Sequence, residues 1–251
     1  MLNIVIPMAG EGSRFKEKGY LEPKPMIDVN SKKMIELVVN NIRPDREHRF
    51  IFICKEKHIV EYKLKELLEK ISPDCVIIPI EGTTNGAAET VLVSKNYIND
   101  DNELMIANCD QWIDIDINDY LEVIDSKKID GMVMSMTAED NKWSFLKLDK
   151  QNNVVEVREK EVISNQATVG IYNFKKGSDF CSAATKMIEK NDKTMGEFYV
   201  APVYNYLIKD QLAVISHYNI GQEFSGMYGL GTPDDLKRFL KSHILNKATD
   251  F

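Results

Sequence analysis

Basic charge is in short supply: 32 Lys and Arg stand against 39 Asp and Glu, a net charge of −7. Such a surface repels the phosphate backbone of a duplex, which excludes a general nucleic-acid binder and means that any phosphate ligand is held by local groups. Cysteine is equally sparse. Cys54, Cys75, Cys109 and Cys181 lie far apart with no Cys-x-x-Cys pair, which disfavours a zinc knuckle or a redox dithiol and points to free thiols in a reducing compartment. His48, His58, His217 and His243 show no metal-ligand spacing. No apolar run approaches the roughly 18 residues of a membrane span, and Met1 leads straight into Leu2-Asn3-Ile4-Val5-Ile6 without a basic flank, so a soluble cytoplasmic protein with no membrane partner is expected. The 13 glycines and 8 prolines are too few for a collagen-like or low-complexity chain, and 43% hydrophobic with 28% charged residues is ordinary for a globular one.

A length of 251 residues allows one large domain or two small ones, and no flexible linker or repeat divides the chain. Short apolar runs at Leu2–Met8, Arg49–Cys54, Val76–Ile80 and Leu104–Ala107 alternate with helical patterns at Met34–Ile42, Glu56–Ile71 and Ala87–Tyr97. That alternation predicts parallel βαβ units in a three-layer α/β sandwich. In Glu56–Ile71 the residues Ile59, Val60, Leu64, Leu67, Leu68 and Ile71 form one apolar stripe suited to lying on a sheet. The second half reads as a mixed α/β lobe. Its expected strands are Gly131–Met136, Ser144–Leu148, Val154–Val157, Thr168–Phe174 and Leu212–His217. Its expected helices are Ser178–Glu189, Glu197–Ile208 and a last one from Pro233 with Thr232 as N-cap.

The loop after the first strand carries the chemistry. It reads Pro7-Met8-Ala9-Gly10-Glu11-Gly12-Ser13-Arg14-Phe15 and is followed by Pro23-Lys24-Pro25. Two glycines let backbone N–H groups approach a phosphate closely, Arg14 adds a bidentate donor fork, and Lys24 adds a point charge clamped between prolines. Two better-known phosphate loops fail on the same residues. Phe15 stands where a dinucleotide-binding loop needs its third glycine or alanine, and Gly-x-x-x-x-Gly-Lys-Ser/Thr occurs nowhere.

With these residues the chain resembles the sugar-phosphate nucleotidyltransferases, or nucleotide-sugar pyrophosphorylases, over nearly its whole length. Gly10-Glu11-Gly12-Ser13-Arg14 and Pro23-Lys24-Pro25 match the family's opening, and Asn85-Gly86-Ala87-Ala88 matches a helix start that meets the base. Asn108-Cys109-Asp110-Gln111 supplies the strand-end aspartate, Glu159-Lys160 the pair that grips the transferred phosphate, and Gly170 and Gly196-Glu197 the acceptor-side elements. The resemblance implies a mostly parallel, Rossmann-like central sheet, with residues 1–115 as the nucleotide-binding half and 116–251 as the acceptor-binding half of one domain. It implies Mg²⁺ on Asp110, Lys24 on the α-phosphate, Arg14 on the leaving pyrophosphate and Lys160 on the acceptor phosphate. Ala9, Gly10, Glu11, Gly12, Ser13, Gly86, Ala87 and Asn108 are expected to meet the nucleotide. Trp143, Gly170 and Glu197 are expected to meet the acceptor, with Ser144 and Tyr172 as further candidate walls. Members are commonly dimers or tetramers, so a homo-oligomer is expected, and short chains with this opening resemble enzymes of capsule or lipopolysaccharide synthesis.

One position departs from the pattern. Aligning on Gly231-Thr232 puts Gly229 where the family has a second metal-binding aspartate, so that Asp234 or water is expected to substitute, or the site to hold a single ion. Small residues at Ala9, Gly10, Gly86 and Ala87 suit a flat ring, with CTP expected ahead of UTP. Two other readings compete. A glycosyltransferase would use Asp114-Ile115-Asp116 as its metal motif, and a non-catalytic nucleotide-binding subunit would explain Gly229.

Overall fold

A computed structural model describes residues 1–251. β1 (Leu2–Pro7) opens into the glycine loop and one helical turn, α1 (Ser13–Lys16). A 3-10 turn at Lys24–Met26 and a small hairpin, β2 (Asp28–Val29) with β3 (Lys32–Lys33), lead to α2 (Met34–Asn41). Then follow β4 (His48–Lys55), α3 (Glu56–Glu61), α4 (Leu64–Ile71), β5 (Val76–Ile80), α5 (Ala87–Leu92), α6 (Lys95–Ile98) and β6 (Glu103–Ala107). The remainder comprises β7 (Gln111–Ile113), α7 (Ile117–Ser126), β8 (Gly131–Thr137), β9 (Ser144–Leu148), β10 (Val154–Glu159), β11 (Gln166–Phe174), α8 (Gly177–Glu189), α9 (Val203–Gln211), β12 (Ile215–Glu223), β13 (Gly226–Gly229), α10 (Pro233–Leu240) and α11 (Leu245–Thr249).

One large sheet runs in the order β5-β4-β1-β6-β11-β8-β12-β13-β7, with the β9–β10 hairpin attached through β11. From β5 to β6 every pairing is parallel. Antiparallel β11 then carries the sheet into the second half of the chain. Period-2 alternation along β1 explains the layers. Leu2, Ile4 and Ile6 pack with α2, α4 and α7 on one face, and Val5 packs with α5, α8 and α9 on the other. A third cluster, with Phe15, Trp112, Tyr228 and Phe239, seats α1 and α10 beside the open edge of the cavity described below. The protein is thus α/β with a large central sheet between helical layers. No helix is long and apolar enough to cross a membrane.

Several expected elements differ. Glu56–Ile71 is two helices, broken where Lys63 takes a left-handed backbone (φ 51°). The break lets the Tyr62 hydroxyl donate to Leu21 O at 3.0 Å, and it leaves Val60 outside the stripe, 76% exposed. Ala87–Tyr97 is likewise two helices. Ser94, between them, donates its hydroxyl to Val91 O at 2.7 Å, and its side chain competes with the helical ladder there. The helix expected from Glu197 begins only at Val203, with Pro202 as its N-cap, because Glu197 bridges to Thr194 and the Phe198 backbone is hydrogen-bonded to Asn85 and Ala88 instead of to a helical ladder. The strand expected at Leu212–His217 begins at Ile215, after Leu212 ends α9 in a left-handed turn (φ 53°).

Candidate active site

The carboxyl ends of β1 and β6 open on a cleft of about 720 Å³, where ligands of open α/β sheets bind. At its first wall lies the glycine loop. Gly12 adopts φ 63°, in the left-handed region that a side chain disfavours, and Phe15 is sunk into the core to hold the following turn. Arg14 is thereby left exposed on the cleft. Pro23 and Pro25 are buried on either side of Lys24, so that only the end of this lysine reaches the site.

Lys24 Nζ donates to Asp110 Oδ2 at 2.7 Å, across 86 residues of sequence. Burial pulls the Lys24 ammonium towards neutrality, but the Asp110 carboxylate outweighs it and holds the pKa above the ordinary lysine range. Neighbouring Cys109 is pushed up to about 11 by burial, against the pull of Lys24, and stays a thiol. Asp110 is itself fixed from behind. The Leu230 N–H donates to Asp110 O at 2.7 Å, and Gly231 lies so close that a Cβ there would stand 2.7 Å from Asp110 Oδ2. Asn108 is fixed by its N–H to Gly170 O at 2.9 Å, and the Asn108 amide fills the space that a side chain on Gly170 would need.

The opposite wall belongs to the β9–β10 hairpin and the segment before α9. Lys160 donates from Nζ to the Tyr199 hydroxyl at 2.9 Å, and this hydrogen bond raises its pKa. Glu159 accepts from the Ser144 hydroxyl; burial raises its pKa, with Ser144 and Lys160 opposing. Trp143, Ser144, Tyr172 and Glu197 complete this side.

Of the residues expected from sequence, Arg14, Ala87, Asn108 and Asp110 meet Trp143, Lys160, Gly170 and Glu197 around one cleft, and Lys24 joins them through Asp110. Others lie elsewhere. Ala9, Gly10, Gly12 and Ser13 form the loop behind that wall and are not among the lining residues. Glu11 turns away, pairs with Lys16 at 2.8 Å and with Lys55, and lines a separate cavity of about 360 Å³. Gly86 is also off the cleft: a Cβ there would stand 2.5 Å from Phe198 N and O, so its missing side chain admits the Phe198 backbone.

Asp234 requires correction as the substitute metal ligand. It sits on the outer face of the first turn of α10, its side chain 85% exposed and 3.7 Å from Lys237. Asp235 lines the cleft instead, accepting from the Thr232 hydroxyl at 2.7 Å while Thr232 caps the helix by accepting from the Asp235 N–H at 3.1 Å. The Thr232-x-x-Asp235 spacing, a capping-box pattern, was the available signal. Tyr199, Lys142 and Gly231 were also missed, and only Gly231, in the Gly-Thr-Pro turn, had any sequence mark. The Asp114-Ile115-Asp116 motif is dispersed: Asp114 pairs with Lys247, and Asp116 caps α7 by accepting from the Asn118 N–H at 2.8 Å. Gly229 lines the cleft and leaves no carboxylate at that point.

The family described as nucleotidyl transferase matches residues 4–219. The chain is similar to the bifunctional protein GlmU of Methanocaldococcus jannaschii, 25% identical over 213 residues, covering 84% of this chain and 48% of that protein. It is similar to a bifunctional sugar-1-phosphate nucleotidylyltransferase/acetyltransferase of Sulfurisphaera tokodaii, 27% identical over 216 residues, covering 84% of this chain and 49% of that one. The chain thus spans about half the length of these relatives. Among solved structures, a nucleoside-diphosphate-sugar pyrophosphorylase from Vibrio cholerae RC9 superposes with a TM-score of 0.80 at 25% identity, covering 95% of this chain and all of that one. The match over residues 4–219, most of its length, makes this chain a member of the nucleotidyl transferase family.

Proposed function

We propose that this chain is a sugar-phosphate nucleotidyltransferase, converting a nucleoside triphosphate and a small phosphorylated sugar or polyol into the nucleotide-activated product and pyrophosphate. One observation carries the reading: Arg14 and the Lys24–Asp110 pair stand on one wall of a single cleft and Lys160 on the other. Three cationic groups, Arg14 and Lys24 on one side and Lys160 on the other, suit two phosphate-bearing substrates held face to face.

The acceptor phosphate is largely dianionic near neutrality, its second pKa being about 6, so its oxygen attacks the α-phosphorus without a general base. A bond forms from that oxygen to the α-phosphorus while the bond to the bridging oxygen of the β-phosphate breaks, and pyrophosphate leaves with the electron pair. Lys24 holds the α-phosphate, Arg14 the departing pyrophosphate and Lys160 the acceptor phosphate, so that charge is matched and the reacting atoms are aligned. Mg²⁺ characteristically takes one or two carboxylates plus substrate phosphates instead of a cage made only of protein. Asp110, with Asp235 also lining the cleft, fits that donor set. When bound, the ion supplies charge neutralisation at the phosphate oxygens.

For the base we propose CTP ahead of UTP, a flat ring being accommodated beside the small side chain of Ala87 on the cleft. The activated product is a donor for glycan assembly, and we assign it to a surface polysaccharide. The test is pyrophosphate release with Mg²⁺ from CTP, UTP, dTTP, GTP or ATP against pooled sugar, polyol and small-alcohol phosphates. Release that needs one triphosphate, the pool, Lys24 and Asp110 is expected. Nucleotide binding without release in any combination overturns the enzymatic reading.

A further inference from the structure

Lys160 and Tyr199 reach each other from different parts of the fold. Lys160 follows β10 in a left-handed turn (φ 56°), and its N–H donates across the hairpin to Trp143 O at 3.0 Å. Tyr199 belongs to the extended segment before α9, and that segment is stitched to the nucleotide half of the chain. The Phe198 N–H donates to Asn85 O at 2.7 Å, and the Ala88 N–H donates to Phe198 O at 2.9 Å. At the cleft the two side chains meet twice over. The ammonium donates to the Tyr199 hydroxyl at 2.9 Å and lies 5.1 Å from the centre of its ring.

We propose that Tyr199 is a positioning residue that fixes Lys160, and through it the acceptor phosphate, relative to the nucleotide-binding half. The inference rests on Lys160 as the acceptor-phosphate ligand. A lysine is a point charge on a long flexible stem, so its turn alone does not set where the ammonium stands. A tyrosine has two side-chain torsions and a fixed length, and here it is rooted one residue from the Phe198 stitch. Its hydroxyl takes one of the three ammonium hydrogens and leaves two for a phosphate. The carboxylates of Glu159 and Glu197 also act on the Lys160 charge. Without the hydroxyl, the ammonium is drawn to them and away from the acceptor. The β9–β10 hairpin carries Lys160, while α5 begins at Ala87 on the cleft. Tyr199 is therefore the side-chain link that sets the separation of the two substrates.

The test compares Tyr199→Phe and Lys160→Ala with the wild type in pyrophosphate release, using the pooled sugar, polyol and small-alcohol phosphates as acceptor probe. Tyr199→Phe removes one charge-assisted hydrogen bond, so the half-saturating acceptor concentration rises about tenfold while kcat stays within about threefold. Half-saturation by nucleotide stays unchanged. The alkaline limb of kcat/KM for the acceptor moves to lower pH, because the hydroxyl no longer helps keep the ammonium protonated. Lys160→Ala raises the acceptor KM by about a hundredfold, as expected for loss of a charged ligand. Should Tyr199→Phe match the wild type, or raise nucleotide and acceptor KM together, while Lys160→Ala affects the acceptor alone, the positioning role is overturned and the transferase reading stands. An acceptor KM untouched by Lys160→Ala overturns the Lys160 assignment and the inference with it.

Discussion

Lys24 Nζ lies 2.7 Å from Asp110 Oδ2, joining the glycine-loop side of the cleft to the end of the central strand. Both side chains are mostly shielded, 22% and 18% exposed, so each is the other's main compensation until substrate arrives. Under the proposed function, a triphosphate entering the cleft would take over the lysine and free the carboxylate of its partner.

That exchange predicts a non-additive pair. Lys24→Met and Asp110→Asn should each lower kcat/KM by a factor on the order of 100 to 1,000, the usual loss of one electrostatic stabiliser. Each should also destabilise the fold by about 1–3 kcal/mol, because the remaining partner is left shielded and unpaired. The double variant should recover much of that stability and none of the activity. Urea denaturation beside pyrophosphate release measures both quantities, and additive stability losses would contradict the pairing argument.

Gly231 makes a sharper steric test. A Cβ there would stand 2.7 Å from Asp110 Oδ2, closer than real Cβ contacts come, while no comparable obstruction arises from the backbone. Gly231→Ala should therefore turn the carboxylate and cut activity by more than about tenfold, since sub-ångström misplacement at a reacting centre is expensive. Stability should change by less than about 1 kcal/mol. A fully active Gly231→Ala enzyme would show that Asp110 does not need its observed orientation.

Two glycines that read alike in sequence should separate cleanly. Gly10 has nothing within 4 Å of a built Cβ, whereas a Cβ on Gly86 collides with the Phe198 backbone at a residue whose φ is 131°. Gly10→Ala should leave the urea midpoint nearly unchanged, within about 0.5 kcal/mol, and weaken nucleotide binding, measured by calorimetry. Gly86→Ala should destabilise the protein by about 2 kcal/mol or more, by strain and by breaking the Asn85–Phe198 stitch.

These contrasts show what the sequence could carry. β1 and β6 were legible because buried parallel strands are continuous apolar runs, and the Thr232 cap because Thr-Pro opens a helix in a recognisable way. β7 and β13 were not, since three or four residues hold no measurable period. The Glu197–Ala201 segment read as helix although Pro202 marked the true start. Arg14, Lys24, Asp110 and Lys160 were visible as charges in a motif. Tyr199 was not, because its place depends on a backbone stitch between residues more than a hundred positions apart. Asp234 and Asp235 differ only in helical phase, and the choice between them follows from which one the Thr232 cap turns inward.

His58 supplies a pH dependence of stability that is separate from the cleft. It is 6% exposed on α3, edge-on to Tyr62 at 6.1 Å, and burial together with Lys57, Lys55 and Lys16 lowers its pKa to about 4, with Glu61 opposing. The unfolded chain holds its histidine near 6.5. Between these values the unfolded state binds more protons, so stability rises with pH there. The His58 contribution is fully present above about pH 6.5 and is lost as the pH falls towards 4, up to about 2–3 kcal/mol in all. Urea midpoints measured from pH 7.5 to 4.5 should fall more steeply for the wild type than for His58→Gln, whose side chain cannot take up the proton. Parallel slopes for the two proteins would mean that carboxylates elsewhere carry the whole dependence.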